Sequence, residues 1–272
     1  MSPKFFVARL ESREAVAVSG PDWRDFLQGL ITQDVLTLRP GEIRFGALLT
    51  PQGRLLFDLF VVGQGDDCLI DCAAATCDAL IERLTMYRLR AKVRIERTTT
   101  AVFALWGDGA LEGFMTDPRT PGLGWRAYGG VPPAHAEAAS EAEYDSHRLS
   151  LGIPGSGDWG TDATYPIEAN FDLLAGIDFK KGCFVGQETT SRMKRRSAIR
   201  SRLVPIDFDG LPPDPGAALL AGSLRAGEVR SVHGNRAMAL VRLDRLQAGT
   251  LTYASGRPWQ PVWPTWLAPD GG

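Results

Sequence analysis

Residues 180 to 196 read KKGCFVGQETTSRMKRR, one cysteine between two glycines followed by a crowd of cations. A lone thiol does chemistry when its surroundings favour the thiolate. The spacing offers two such features. Gly186 can open a helix over QETTSRMKRR, with Glu188 and Arg192 paired at i and i+4. Cys183 then stands just before a helix N-terminus and beside Lys181, and both favour the charged sulfur. A small residue filling a tight turn is the other reading of the same cysteine. Between Lys180 and Arg202 eight basic residues face a single acid, Glu188, so this stretch carries +7 in a chain whose formal charge is -2. An anionic ligand is the economical reason for such a concentration.

Other chemistry-bearing residues form weaker patterns. Cys68, Cys72 and Cys77 share the stretch CLIDCAAATC. If CLIDC is a strand, Cys68 and Cys72 lie on one face but roughly 13 Å apart, too far for a shared metal, and the three read as small buried hydrophobes. His135, His147 and His233 fall in separate elements with no HExxH or paired Cys/His spacing, so neither a zinc site nor a cysteine protease dyad is supported. GSGDWG at 155 to 160 lacks the helix pattern that follows a phosphate loop. Asp58 interrupts an otherwise apolar strand. It needs a partner or a ligand, and is either a satisfied structural carboxylate or part of a site.

The elements that must position these residues can be read from periodicity. The segment SGPDWRDFLQGLITQDV predicts a helix with an apolar stripe, with Ser19 and Asp22 resembling a capping box. IRFGALLTPQGRLLFDLFVVG predicts two strands around the turn TPQG, the second apolar on both faces and therefore central. A helix is expected from about 75 to 88. LRAKVRIER then alternates as a half-buried strand does, with a solvated or anion-binding basic face. AVFALW is a further strand, so the first part reads βαββαββ, an α+β layer. Residues 115 to 133 are rich in glycine and proline and predict a loop; AHAEAASEAEYDSHRLSLGIP predicts a helix through about Leu149. The turn-rich stretch from 152 to 172 has the look of a functional loop. After residue 200 short strands alternate with Gly and Pro turns, as in a small antiparallel barrel. The tail with Trp259, Trp263 and Trp266 is expected to pack back on it. The domains are thus 1–200 and 201–272.

Composition bounds the rest. With 272 residues, 44% apolar and 23% charged, the chain suits two globular units, and it has no apolar run of the ~18 residues a membrane span needs. The N-terminus fits neither a secretory signal nor a transit peptide. Four cysteines make no disulfide framework, and the cytosol is the expected compartment.

The block KGCFVGQE (181–188) with Arg192 and Lys194 resembles the signature of the YgfZ family of folate-binding proteins linked to iron–sulfur cluster assembly and tRNA modification. That family is related in fold to the T-protein aminomethyltransferase of the glycine cleavage system. FLQGLITQDV, TPQGRLLFDLFVV, YRLRAKVRI, RLSLGIP and PIEANFDLLAGIDFKKGCFVGQETTSR follow as family blocks in family order. The resemblance implies an α+β fold of two interleaved ferredoxin-like subdomains with a C-terminal β-barrel around a channel. It implies a tetrahydrofolate or one-carbon derivative as cofactor, iron–sulfur clients or assembly proteins as partners, and no membrane or direct tRNA binding. The chain would act as a monomer in the cytoplasm, or in the mitochondrial matrix of a eukaryote. By position, Cys183 and Asp58 would be the reactive groups. Lys181, Gly182, Gly186, Gln187, Glu188, Arg192, Lys194, Glu168, Asn170 and Arg148 would line the folate site. The aminomethyltransferases carry a paired DD where this chain has Phe57 and Asp58, and they lack the cysteine, so a maturation accessory is expected ahead of a folate-dependent one-carbon transferase.

Overall fold

The computed structural model describes residues 4–109, 111–130, 133, 135–196 and 199–267, Arg196 by its backbone only. The elements in chain order are β1 (Phe5–Arg9), β2 (Arg13–Ser19), α1 (Trp23–Gln28), β3 (Ile43–Leu49), β4 (Leu55–Gly63), β5 (Asp67–Ala73) and α2 (Cys77–Arg88). They continue as β6 (Arg94–Arg97), β7 (Val102–Gly107), β8 (Met115–Thr116), β9 (Trp125–Tyr128), β10 (Glu137–Ala138), α3 (Glu141–Ser150) and α4 (Gln187–Arg196). The barrel strands are β11 (Ser201–Phe208), β12 (Ala218–Ala221), β13 (Leu224–His233), β14 (Arg236–Arg242), β15 (Leu251–Tyr253) and β16 (Trp259–Pro261).

Three sheets result. The first is antiparallel in the order β3-β4-β5-β2-β6; the second runs β10-β1-β7-β9-β8 with one parallel pair, β1 with β10. Only three residues separate β1 from β2, yet they belong to different sheets, so the two α+β subdomains are interleaved. The third sheet, β15-β12-β13-β14-β11-β16, curls into a nearly closed antiparallel barrel, with a bridge from Thr252 to Pro258 bringing its two edges together.

The strand period explains how β4 serves two cores. Phe57, Leu59 and Val61 join Trp23, Leu27, Leu80 and Leu84 under the helices α1 and α2. Phe60 points the other way, into a cluster with Phe45, Trp159, Phe171, Phe184 and the barrel residues Leu203 and Met238. Asp58 shares that second face with Phe60, because successive side chains alternate. The expectation of a central strand covered on both sides holds, and so does the turn: Thr50 and Arg54 close it with a 2.8 Å backbone bond. Cys68, Cys72 and Cys77 are fully buried apolar residues, and burial pushes the thiols up.

Several local expectations are corrected. The order of the first part is ββαβββαββ, since β1 and β5 add strands to the reading. α1 is shorter than its apolar stripe, and the Asp22 side chain makes no cap; its carboxylate accepts the Lys92 amide at 2.7 Å instead. The alternating segment 89–97 is a strand only from Arg94, with Leu89 standing in solvent. The stretch from 115 to 133 contains β8 and β9: β9 pairs with the free edge of β7, and β8 pairs with β9. α3 begins at Glu141, where Ser140 and Glu143 form a reciprocal capping box. Trp259 is buried in the barrel core, and the Trp266 indole donates to the Leu151 carbonyl at 2.9 Å, fastening the tail between barrel and second subdomain. No described helix is long and apolar enough to cross a membrane.

Candidate functional site

A cavity of about 340 Å³ lies where the interleaved subdomains meet the barrel. Arg13, Asp58 and Phe60 come to it from the first sheet, Arg126 from β9 of the second and Arg119 from the β8–β9 connection, Tyr144 and Arg148 from α3, and Ser231 and His233 from β13. Residues 155 to 159 of the turn-rich stretch close one side. That loop needs glycine where it crosses α3: a Cβ on Gly155 would sit 2.7 Å from the guanidinium carbon of Arg148.

Buried charge in this cavity is paired with care. The fully buried Asp71 accepts from Arg13 Nε at 2.6 Å through one oxygen. Its other oxygen accepts the Tyr128 hydroxyl at 2.8 Å and meets Arg126 Nη2 at 3.1 Å. Arg13 Nη1 also donates to Asp58 Oδ2 at 2.6 Å and to Ser156 at 2.8 Å. Arg119 grips Asp117 through two bonds of 3.0 and 2.8 Å, and donates to Tyr144. Burial pushes the Asp117 carboxyl up, but Arg119 outweighs it and holds the group below the usual carboxylate range. Burial and the adjacent Asp71 push the Tyr128 phenol well up, so it stays a donor. Arg148 spans Asp145, Asp158 and the Ile153 carbonyl, while Asp158 accepts a short bond from Ser231 of the barrel. All three structural units are therefore tied at this cavity.

Phe60 forms its aromatic floor. The guanidinium of Arg126 stands 3.8 Å from the ring centroid, with those of Arg119 and Arg13 at 5.0 and 5.5 Å. Arg126 Nη1 is the exception in the network: it is buried and has no hydrogen-bond partner. Leaving such a donor unpaired is costly. The cavity thus offers a flat apolar floor, one unfilled donor, and guanidinium charges already balanced by carboxylates. It suits a planar, partly polar heterocycle.

Of the residues that the resemblance assigns to the site, Asp58 and Arg148 line this cavity, whereas Cys183, Glu168, Asn170 and the residues of the cationic segment lie outside its lining. Asn170 Nδ2 donates to the Leu203 carbonyl and its Oδ1 accepts from Arg202, bracing the loop against β11, while the Glu168 carboxylate accepts the Tyr165 amide within the loop and its backbone carbonyl accepts from the Leu203 amide. Lys181 spends its ammonium on three carbonyls, those of Gln28, Ile31 and Gln33, at 2.8, 2.6 and 2.9 Å. Burial pushes it down to about 8, with Asp34 and Asp178 opposing, and its charge serves the turn after α1 instead of the thiol beside it in sequence. Lys194 lies 3.7 Å from Asp172, which also holds Arg202. Arg192 and Glu188 point to solvent, with Gln187 at the helix start. Cys183 is exposed, and Phe184 after it is buried in the cluster that contains Phe60 and Trp159.

The two signature glycines differ in purpose. Gly186 has φ of 81°, and a Cβ there would lie 2.6 Å from the Thr50 carbonyl; Gly53 of the TPQG turn faces it with φ of 86°. The segment therefore docks backbone to backbone on the β3–β4 turn. Gly182 meets nothing within 4 Å. We expect Gly186→Ala to cost on the order of 1–3 kcal/mol in urea unfolding and Gly182→Ala to be near neutral. Equal effects would mean that the docking contact carries no strain.

Sequence reasoning missed Arg13, Asp71, Arg119, Arg126 and Tyr128. One signal was available: Asp71 interrupts the apolar run CLIDC just as Asp58 interrupts FDLF. Among the described residues no group of three or more His, Cys, Asp or Glu side chains could hold a metal ion.

Comparison with known proteins gives matches to both parts of the chain. Residues 9–113 match the family described as the GCVT N-terminal domain, and residues 200–269 that of the CAF17 C-terminal beta-barrel domain. The iron–sulfur cluster assembly factor IBA57 of Homo sapiens, a mitochondrial protein, is 30% identical over 277 residues, 88% of this chain and 78% of its own length. Homologues of that factor from Mycosarcoma maydis and Phaeosphaeria nodorum are 32% and 34% identical over 76% and 74% of the chain. The chain spans only 59% and 55% of the length of those two fungal proteins. In structure, the glycine cleavage system aminomethyltransferase T from Bartonella henselae superposes with a TM-score of 0.78 over 95% of this chain and 85% of its own, at 17% identity.

Proposed function

The chain belongs to the family of the iron–sulfur cluster assembly factor IBA57, and from that premise we propose that it is an accessory protein for the maturation or repair of iron–sulfur proteins. Cys183 is its reactive thiol, and tetrahydrofolate or a one-carbon derivative occupies the central cavity. One observation carries this reading: of four cysteines only Cys183 is exposed, and it sits on the block that resembles the family signature. A single cysteine cannot hold a four-iron cluster alone, so any cluster is shared with a client or assembly protein. The finer assignment to the YgfZ branch, and through its clients to tRNA modification, belongs to the same proposal. So do the division near residue 200, the monomeric state, and a place in the cytosol or, in a eukaryote, the mitochondrial matrix.

The cavity favours the folate part of this reading. Its aromatic floor and single unfilled donor match the flat ring of a pterin, whose lactam oxygen accepts a hydrogen bond. The rival is a folate-dependent aminomethyl transfer with Asp58 as the acid or base. Asp58 does line the cavity, but its Oδ2 is occupied by Arg13 at 2.6 Å. Turnover of an aminomethyl donor would favour the rival.

Tetrahydrofolate should bind with one-to-one stoichiometry in calorimetry and quench tryptophan fluorescence, because Trp159 lines the cavity. Trp159→Phe should remove most of the quench while leaving the heat of binding. Absence of heat with every reduced folate would remove the cofactor from the proposal. Heat with an unchanged quench in Trp159→Phe would move it to another site.

A further inference from the structure

The chain takes an unusual course where α2 ends. Leu89 follows the helix with φ of 45° and ψ of -107°, and it is 88% exposed. Glycine is the usual residue where a helix ends with positive φ, because it has no Cβ to clash. Here a leucine takes the strained conformation and gains nothing from burial. Met86, three residues earlier, is 55% exposed.

The loop that carries Leu89 is firmly mounted. Ala91 donates to the Arg88 carbonyl at 2.8 Å and Val93 to that of Ala91 at 2.9 Å, while Asp22 accepts the Lys92 amide. Gly20 lies so close beneath that a Cβ there would meet the Lys92 oxygen at 2.2 Å. Arg88, Arg90, Lys92 and Arg94 surround the leucine and are all exposed. Among the described residues only Arg94 has a carboxylate within ion-pair distance, Glu96 at 3.7 Å. A shallow hollow of about 420 Å³ adjoins them, lined by Ser19, Gly20 and residues 88–94.

Strain, exposure and unpaired charge at one rigid place are not offset within the chain. A partner that covers the leucine and brings carboxylates would use all three. We propose that residues 86–94 form a docking surface for a protein partner presenting an acidic segment around an apolar side chain. Protein interfaces concentrate their energy in a desolvated apolar or arginine anchor with a charged rim, which is the arrangement here. A nucleic acid fits less well: single strands are held by exposed aromatic rings that stack on bases, whereas the exposed apolar residues here are Leu89 and Met86. The net charge of -2 also repels a polyanion at large.

The test uses the full chain, isotopically labelled, with three probes: an acidic peptide of about twelve residues with a central Leu-Phe pair, the same peptide with Ser-Ser in the centre, and a single-stranded RNA oligonucleotide. The Leu-Phe peptide should bind most tightly and shift amide resonances of residues 86–94. Arg90→Glu with Lys92→Glu should weaken it about tenfold or more, and Leu89→Gly about fivefold. Leu89→Gly should also melt no lower than the parent, because glycine relieves the backbone. Tighter binding of the RNA, equal binding of the Ser-Ser peptide, no binding of any probe, or a Leu89→Gly variant that melts several degrees lower would each overturn the proposal.

Discussion

Replacing Asp71 by alanine is expected to destabilise the protein by about 3–5 kcal/mol, the cost of breaking a buried ion pair by removing one partner. The carboxylate is fully buried and answers Arg13, Arg126 and Tyr128 at once. Without it, Arg126 would lose its 3.1 Å ion pair while already carrying one unpaired nitrogen, and Arg13 would keep its bond to Asp58. These charges come from β2, β5 and β9, so the loss also loosens the junction of the two subdomains. Urea unfolding followed by far-ultraviolet dichroism and tryptophan fluorescence measures the change. Asp71→Asn should fall between the parent and Asp71→Ala, since the amide oxygen still accepts from Tyr128 or an arginine. A loss below about 1 kcal/mol for Asp71→Ala, the scale of an exposed pair, would show that water or Asp58 replaces the carboxylate freely.

Cys183→Ala should leave the fold intact and abolish support of iron–sulfur protein maturation. The side chain is exposed and fills no core, so unfolding should shift by no more than about 0.5 kcal/mol. Cells that depend on this protein should then behave as though it were absent, when activity of an iron–sulfur enzyme is read against its protein level. In the parent, a limiting maleimide should label Cys183 before the fully buried Cys68, Cys72 and Cys77. Full activity in Cys183→Ala would reduce the signature to a docking element for the β3–β4 turn. Loss of folding would make the cysteine structural.

The sequence by itself determined the elements whose cause is local. Alternation and a TPQG turn give β3 and β4; an apolar stripe gives α2; Gly and Pro turns at short intervals give the barrel strands. Gly186 opens α4 because φ of 81° suits glycine and little else. The block around Cys183 was legible for the same reason, as one continuous run of residues. What the tertiary structure decided is which charges meet. Lys181 is two residues from Cys183, yet its ammonium turns to three carbonyls about 150 positions earlier, since a half-buried cation goes to the nearest unpaired acceptors. Leu89 continues a clean apolar alternation, yet the backbone bonds that follow α2 turn it out into solvent. The cavity's network draws Arg13, Asp58, Asp71 and Arg126 from four strands in two sheets. Their meeting depends on strand register, as in the pairing of Arg13 with Ala73 that brings the guanidinium to Asp71. Register is a property of paired strands, so no single strand's sequence states it.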